Sequence, residues 1–114
     1  MMTKEMIDSA MKDYAAGARE VYGDKLKEVI LYGSCARGDF TDESDVDVMV
    51  LLDVPPEKIP EERVKLHPKR YELDKKYDYA ILFATVVRSY DEYKKFNDAS
   101  MFYSNIDREG VRYA

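Results

Sequence analysis

The chain has 114 residues, 46% hydrophobic and 36% charged, with a formal net charge of −5. This length predicts one domain spanning residues 1–114, and the excess of acid argues against a general nucleic-acid binder, whose surface must present a basic face. One cysteine rules out an intramolecular disulfide framework, and no apolar run approaches membrane-spanning length, so we expect a cytoplasmic protein that binds no membrane.

The first predicted element is an amphipathic helix from Lys4 to about Tyr22. Its apolar residues recur at helical spacing, which indicates one face packed on the domain. Gly23 is expected to end the helix. The apolar positions are Met6 or Ile7, Ala10, Met11, Tyr14, Ala18 and Val21.

A short apolar, β-prone run, residues 29–32, then ends abruptly at Gly33. This pattern predicts a buried strand that leads into a tight turn. Ser34 is expected to be the N-cap of a short helix through Arg37, whose free amides and dipole favour an anion. The turn therefore predicts a phosphate site, while Arg37 suits either a phosphate contact or an exposed helix surface.

A second strand is predicted from Asp45 to Leu52. Side chains alternate along a strand, so Asp45 and Asp47 should point to one face and the intervening Val46 to the other. Residues 48–52 are apolar at every position, which is typical of a central strand covered on both faces. Two neighbouring carboxylates repel each other unless a cation lies between them, and oxygen ligands favour Mg²⁺ or Mn²⁺.

The second half continues with a helical segment from about Glu61 to Lys76, in which Pro68 should cause a break, and a strand from Tyr79 to Val87. Ser89 and Glu92 have capping-box spacing, which predicts a helix from about Tyr90 to Phe96. The apolar tail from residue 101 is expected to dock onto the domain. Alternating helices and strands indicate an α/β domain with a mixed central β-sheet flanked by helices.

The two motif segments together resemble the signature of a known family. Residues 33–38 (GSCARG) followed by residues 44–47 (SDVD) look like the nucleotidyltransferase fold of the DNA polymerase beta superfamily, and most of all its minimal nucleotidyltransferases. The closing residues 102–111 also resemble the C-terminal end of that family, so the resemblance covers nearly the whole chain. The family places a third carboxylate on a later strand, and Asp78 is the matching position.

The resemblance implies transfer of a nucleoside monophosphate from ATP, or another NTP, to a hydroxyl acceptor, with pyrophosphate leaving. Its metal ligands would be Asp45, Asp47 and Asp78 around two Mg²⁺ ions, with Mn²⁺ as an alternative, and Asp78 would also help to deprotonate the acceptor. The β and γ phosphates would lie on Gly33 and Ser34. Arg37 would neutralise developing charge.

Minimal nucleotidyltransferases often accompany a small helical partner of the HEPN class, and some are antitoxins that adenylylate a tyrosine of this toxin. The resemblance implies the same pairing here, with the acceptor on a separate chain or at a homo-oligomer interface. Two alternatives stay open. One is a catalytically silent antitoxin that neutralises its partner by contact, and the other is a stand-alone transferase acting on a small hydroxyl compound.

Other readings of the motifs fit less well. A Walker A loop needs Lys and Ser or Thr after its last glycine, whereas Asp39 and Phe40 follow Gly38. A phosphatase with paired aspartates would have its apolar run before the pair, not after it. The residues would also be compatible with solvated aspartates in an inactive domain. Cys35 is expected to be a small buried residue, and one cysteine with one histidine gives too few ligands for structural zinc.

Overall fold

The computed structural model describes residues 1–114 and alternates helices with strands. The helices are α1 (Lys4–Tyr22), α2 (Ser34–Arg37), α3 (Ile59–Arg63), α4 (His67–Lys76), α5 (Tyr90–Phe96) and α6 (Met101–Glu109). The strands are β1 (Leu26–Tyr32), β2 (Val46–Leu52), β3 (Phe83–Ser89) and β4 (Val111–Arg112).

The four strands form one mixed sheet in the order β3-β2-β1-β4. The central strand β1 is antiparallel to both β2 and β4, whereas β2 and β3 run parallel. A parallel neighbour requires a long crossover, and α3 and α4 supply it. The mixed α/β architecture predicted from the sequence is therefore confirmed. None of the helices combines the length and apolar composition needed to cross a membrane.

Helix α1 has the predicted bounds. It begins after Thr3, whose hydroxyl accepts a hydrogen bond from the Met6 amide at 3.1 Å, and it ends at Gly23, where φ is +56°. Thr3 is thus an ordinary N-cap, and Gly23 is a glycine C-cap. The predicted apolar face is buried at most positions, and the buried residues are Ile7, Ala10, Met11, Tyr14, Ala15, Gly17, Ala18 and Tyr22.

The alternation predicted for β2 is also confirmed. Val46, Val48 and Val50 belong to the larger core cluster, which includes α1, whereas Met49 and Leu51 belong to a second cluster with residues of α5 and α6. The strand is thus covered on both faces. Because Asp47 has the same parity as Met49, its side chain lies on the α5 and α6 face of the sheet.

The crossover breaks where Pro68 predicts a break. Helix α3 ends at Arg63, a single 3₁₀ turn follows, and α4 begins at His67 with Pro68 in its first turn. Proline is tolerated there because the first amides of a helix have no intrahelical acceptor.

Strand β3 begins later than predicted, at Phe83 instead of Tyr79. The end of α4 continues into turns instead, with the Tyr79 amide donating to the Asp74 carbonyl at 2.8 Å. Asp78 and Tyr79 both have a positive φ, +53° and +59°, which is incompatible with an extended strand. The placement of Asp78 at the opening of the strand was therefore wrong, and Asp78 lies in an exposed turn.

The apolar tail docks onto the domain, as predicted, through a helix and a strand. Helix α6 begins after Ser100, whose hydroxyl accepts from the Tyr103 amide at 3.2 Å. Strand β4 then pairs with β1, and the Tyr113 amide donates to the Val29 carbonyl at 2.8 Å. Helix α6 consequently lies on the same face of the sheet as Asp47.

Candidate active site

The turn after β1 is built on Gly33, whose φ is +75°. Its carbonyl accepts hydrogen bonds from the amides of Ala36 and Arg37, both at 3.1 Å, and these close the single turn of α2. Gly33 is thus the N-cap, and Ser34 is the first helical residue. The prediction that Ser34 caps the helix was wrong by one position, because the chain reverses on a glycine with a left-handed φ.

The Asp47 carboxylate lies directly against this turn. Asp47 pairs with Tyr32 across β1 and β2, and a Cβ added to Gly33 would collide with the Asp47 Oδ2 and lie only 3.2 Å from its Cγ. The two halves of the motif therefore meet at a distance that only a residue without a side chain allows. Glycine is required here both by the φ angle and by the space.

Asp45 and Asp47 sit in different environments. Asp45 precedes the strand and is exposed, while Asp47 is partly buried. Burial and the Asp45 charge raise the pKa of Asp47, and the Arg37 guanidinium opposes the rise. The pair therefore concentrates negative charge that Arg37 offsets only in part, and its oxygen donors fit a hard divalent cation.

The third predicted carboxylate is not part of this pair. No group of three or more His, Cys, Asp or Glu side chains comes together anywhere in residues 1–114 with a geometry that could hold a metal. On β3 the residue in register with Asp47 is Ala84, and Asp78 lies five residues before the strand begins. The position beside Asp47 that a third carboxylate could occupy therefore holds an alanine.

A cleft of about 250 Å³ opens beside the turn. It is slightly smaller than typical small-molecule pockets, although it is open to solvent on one side. The Tyr32 and Phe102 rings meet edge to face in its wall, with their centroids 5.8 Å apart. The cleft is lined by Tyr32, Gly33 and Arg37 from the motif and by Phe102, Asn105, Ile106 and Glu109 from α6.

Arg37 bridges the two sides of this cleft. Its Nε lies 3.3 Å from Asp39 and its Nη1 lies 3.7 Å from Glu109 on α6. The side chain is about half exposed, at 47%, so these ion pairs are weak and a phosphate could replace them. A phosphate contact for Arg37 stays a prediction, and the position of Arg37 at the cleft is compatible with it.

Cys35 has the structural role expected of it. It is buried, and its thiol donates to the Asp45 carbonyl at 3.5 Å. Burial and the charge of Asp47 raise the pKa of this thiol, which keeps it protonated and poorly nucleophilic. Cys35 therefore fixes the main chain that carries Asp45.

The α6 side of the cleft was not predicted from the sequence. Phe102, Asn105 and Glu109 belong to the closing segment that resembles the C-terminal end of the family, but no site role was assigned to them; their helical spacing places them on one face of α6. Tyr32 was assigned only to the apolar strand. These residues become neighbours of the motif only because β4 anchors the tail on β1.

Comparison with known proteins identifies the family of the chain. Residues 17–109 match the family described as "Nucleotidyltransferase domain". Two proteins of Methanocaldococcus jannaschii, each named "putative protein adenylyltransferase", are 30% and 36% identical to the chain. The first alignment covers 90% of the chain and 93% of the relative, and the second covers 89% and 92%. The chain is therefore a minimal nucleotidyltransferase and belongs to the nucleotidyltransferase domain family.

Proposed function

We propose that this protein is a Mg²⁺-dependent protein adenylyltransferase that transfers AMP from ATP to a tyrosine hydroxyl of a HEPN-type toxin and so acts as a cytoplasmic antitoxin. The observation that carries the transferase part is the contact of the Asp47 carboxylate with the Gly33 turn. The names of the two archaeal relatives support a protein acceptor. The toxin partner and the tyrosine rest on the family resemblance.

The nucleotide would occupy the cleft between the motif and α6. The first amides of α2 have no intrahelical acceptors and can donate to phosphate oxygens, together with the Ser34 hydroxyl. Arg37 would exchange its weak ion pairs for a charge-assisted contact with phosphate. The Tyr32 and Phe102 rings, which meet edge to face in the wall of the cleft, offer it apolar surface.

The metal would be held by Asp45 and Asp47. When bound, a divalent ion neutralises phosphate charge and stabilises the oxygens that enter and leave in the displacement. The protein contributes the orientation of the carboxylates, because β2 and the Gly33 contact fix Asp47 while the Cys35 thiol holds the main chain of Asp45. Asp78 is not included in this ligand set, since it lies in the turn before β3.

The reaction itself is a displacement at the α-phosphorus of ATP. The acceptor hydroxyl gives up its proton to solvent water and its oxygen forms a bond to this phosphorus, while the bond to the bridging oxygen breaks and pyrophosphate leaves with the electron pair. In-line attack requires the triphosphate to be held rigidly, and the turn at Gly33 would hold it.

The direct test uses the purified chain with its HEPN-type partner, ATP and Mg²⁺, and measures the mass of the partner. We expect addition of AMP to a partner tyrosine, and no addition when Asp45→Asn and Asp47→Asn are combined. Asp53→Asn is the matched control, because Asp53 is an exposed carboxylate just beyond the end of β2. An unchanged partner mass with both proteins folded and bound would contradict the enzymatic proposal.

A second measurement separates catalysis from simple contact. If the double Asn variant still protects cells from the toxin, the protein neutralises its partner without chemistry, and the antitoxin activity is not enzymatic. Thermal unfolding with ATP tests the nucleotide site directly, since a ligand at one hundred times its Kd adds about 2.7 kcal/mol to stability. We expect this gain to depend on Mg²⁺ and to disappear in the double variant.

A further inference from the structure

Two adjoining cavities lie between β3 and the helical crossover, on the face of the sheet opposite Asp47. The inner cavity has a volume of about 150 Å³ and the outer one about 300 Å³, and the two share His67 and Arg70. The inner cavity is lined by Arg63, Leu66, His67, Arg70, Thr85 and Val87, and the outer one by His67, Arg70, Tyr71 and Asp74. None of these residues lines the cleft beside Gly33.

The two arginines of the inner cavity have no partner in the protein. Arg63 and Arg70 form no ion pair or hydrogen bond, whereas the other five arginines of the chain each contact a carboxylate, an amide oxygen or a main-chain carbonyl. The acids on the neighbouring helix surfaces are paired with lysines instead, Glu62 with Lys25 and Lys65, and Glu20 and Glu72 with Lys69. Two guanidinium groups therefore line the inner cavity without a counter-ion there.

Thr85 supplies a further hydrogen-bond donor to this cavity. Its Oγ1 lies 2.7 Å from the hydroxyl oxygen of Tyr14, and neither hydroxyl forms another hydrogen bond. Burial raises the pKa of Tyr14, so both hydroxyls keep their protons at neutral pH. Two protons share one hydrogen bond, and one proton consequently has no acceptor in the protein.

Burial decides which of the two protons is left over. Tyr14 is only 1% exposed, and an unsatisfied donor costs most where it is fully buried. Tyr14 therefore donates to Thr85, and the Thr85 proton is available to the cavity that Thr85 lines.

The inner cavity thus presents donors that an anion with several oxygens can satisfy together. A guanidinium has five donors and no acceptor, and its planar fork matches phosphate. The cavity is smaller than an ordinary small-molecule pocket, which suits one anionic group. A larger ligand would extend from it into the outer cavity.

The outer cavity has a different character. Asp74 is the one carboxylate in its lining; it forms no ion pair, and its Oδ1 is buried without a hydrogen-bond partner. Tyr71, which is 58% exposed, adds the surface of an aromatic ring. A carboxylate accepts hydrogen bonds from hydroxyl groups, and an aromatic ring favours a flat or apolar group.

We propose that the two cavities form a second ligand site, which binds a phosphorylated ribose, either as a sugar phosphate or as a nucleoside monophosphate. The phosphate lies in the inner cavity against Arg63, Arg70 and Thr85. The ribose hydroxyls lie in the outer cavity beside Asp74, and a base, where the ligand carries one, lies on the ring of Tyr71. The site does not depend on nucleotidyl transfer, because it shares no residue with the cleft beside Gly33.

The test is a titration of the isotope-labelled full chain with ribose 5-phosphate in EDTA, followed by NMR. We expect saturable shifts of the Leu66, Arg70 and Thr85 amides and none of the Ser34 amide, which reports on the cleft. Unphosphorylated ribose is the control and should have no effect. AMP distinguishes the two sources of the ligand, since tighter binding of AMP indicates a nucleotide and equal binding indicates a sugar phosphate.

Charge variants identify the groups that hold the phosphate. Arg63→Gln combined with Arg70→Gln should weaken binding of ribose 5-phosphate about tenfold or more, because charge-assisted hydrogen bonds are lost. Lys94→Gln combined with Lys95→Gln removes the same charge from exposed positions of α5 and should leave the affinity unchanged. The arginine variant should keep the unfolding temperature of the free protein, since neither arginine has a partner in the protein.

A hydroxyl variant tests the third donor. Thr85→Val should weaken binding, whereas Thr85→Ser, which keeps the hydroxyl, should preserve it. The amide spectrum of each variant away from the cavities shows that the fold is retained.

Four results would overturn the inference. They are unchanged Leu66, Arg70 and Thr85 amides at millimolar ribose 5-phosphate, equal shifts with unphosphorylated ribose, an unchanged affinity in the arginine variant, and equal binding by Thr85→Val and Thr85→Ser. Tighter binding of a phosphoserine peptide than of ribose 5-phosphate would also overturn it and assign the arginines to a partner protein.

Discussion

Gly33 connects the two halves of the candidate active site through a single close approach. Its φ of +75° turns the chain out of β1, and its lack of a side chain admits the Asp47 carboxylate. Gly38 also has a positive φ, +88°, but a Cβ there would meet nothing within 4 Å. The two glycines therefore share the backbone requirement and differ only in the contact with Asp47.

This difference gives the first prediction. Gly33→Ala and Gly38→Ala should both lose about 1–2 kcal/mol of unfolding free energy through left-handed strain, measured by urea denaturation. Only Gly33→Ala also displaces Asp47, so adenylylation should fall about 100-fold in this variant alone, as expected for a misplacement near 1 Å. Equal activity losses in the two variants would show that the Asp47 contact does not matter.

Asp47 itself should reduce stability in the metal-free protein. Burial and the Asp45 charge raise its pKa, so the folded state holds the Asp47 proton to a higher pH than the unfolded chain does. The resulting penalty is present at neutral pH and is relieved as the pH falls through the raised pKa.

Asp47→Asn should therefore increase the free energy of unfolding at pH 7 in the presence of EDTA while it abolishes transfer. The increase should be smaller at pH 4, because Asp47 binds its proton more readily in the folded protein than in the unfolded chain and this protonation relieves the penalty. Urea unfolding at the two pH values measures it. A variant that is less stable than the native protein at pH 7 would contradict the assigned direction.

Among the larger elements, the docking of α6 and β4 depends on Gly110. A Cβ at Gly110 would collide with the Ile30 side chain and lie 2.5 Å from the Ile106 carbonyl oxygen. Gly17 provides a contrast inside α1, because the nearest atom to its added Cβ is 3.6 Å away, in the flexible side chain of Lys69.

The same substitution should thus have opposite effects in the two elements. Gly110→Ala should cost roughly 1–3 kcal/mol through overpacking between α6 and β1. Gly17→Ala should add about 0.5–1 kcal/mol, because alanine has the higher helix propensity. Chemical denaturation measures both changes. If Gly17→Ala loses stability, the space around Gly17 is too small for a methyl group despite the 3.6 Å distance to Lys69.

The elements also show how far the sequence alone can be interpreted. Strand β2 was predicted correctly because its alternation and its apolar run are local signals. The contact between Gly33 and Asp47 comes from the structure, since the motif predicted a phosphate turn and a carboxylate pair but not the approach of one to the other. Residues 79–82 have strand-like composition, but they lie in or directly after the turns that end α4. The predicted start of β3 and the predicted position of Asp78 were therefore wrong. The α6 side of the cleft depends on the long-range pairing of β4 with β1, which no local pattern encodes.

At the scale of the whole molecule, charged contacts connect elements that are distant in sequence. Hydrogen bonds from Tyr113 and Lys12 lower the pKa of Asp8, and hydrogen bonds from Lys76 and Tyr77 lower the pKa of Asp13. Helix α1 is joined in this way to both the tail and the end of α4. A lowered pKa favours the folded state at neutral pH, and this contribution disappears as the pH falls.

We accordingly expect the free energy of unfolding to fall as the pH decreases from about 5 toward 2, below the ordinary aspartate pKa of about 3.9. Urea denaturation across this range measures the loss. Asp13→Asn should flatten the dependence on pH, whereas Asp98→Asn, at an exposed position without an ion pair, should not. If the free energy of unfolding of Asp13→Asn falls as steeply with pH as that of the native protein, Asp13 does not contribute to the pH dependence.

The parallel pairing of β2 with β3 also has a consequence for the order of folding. Val46 and Phe83 are paired in the sheet although 37 positions separate them in the chain, whereas β1 and β2 are close neighbours in sequence. Residues that are far apart in sequence must lose loop-closure entropy before their contact can stabilise the chain. We expect β2 to pair with β1 before the folding transition state and with β3 only after it. Val87→Ala should therefore accelerate unfolding, whereas Val29→Ala should slow folding.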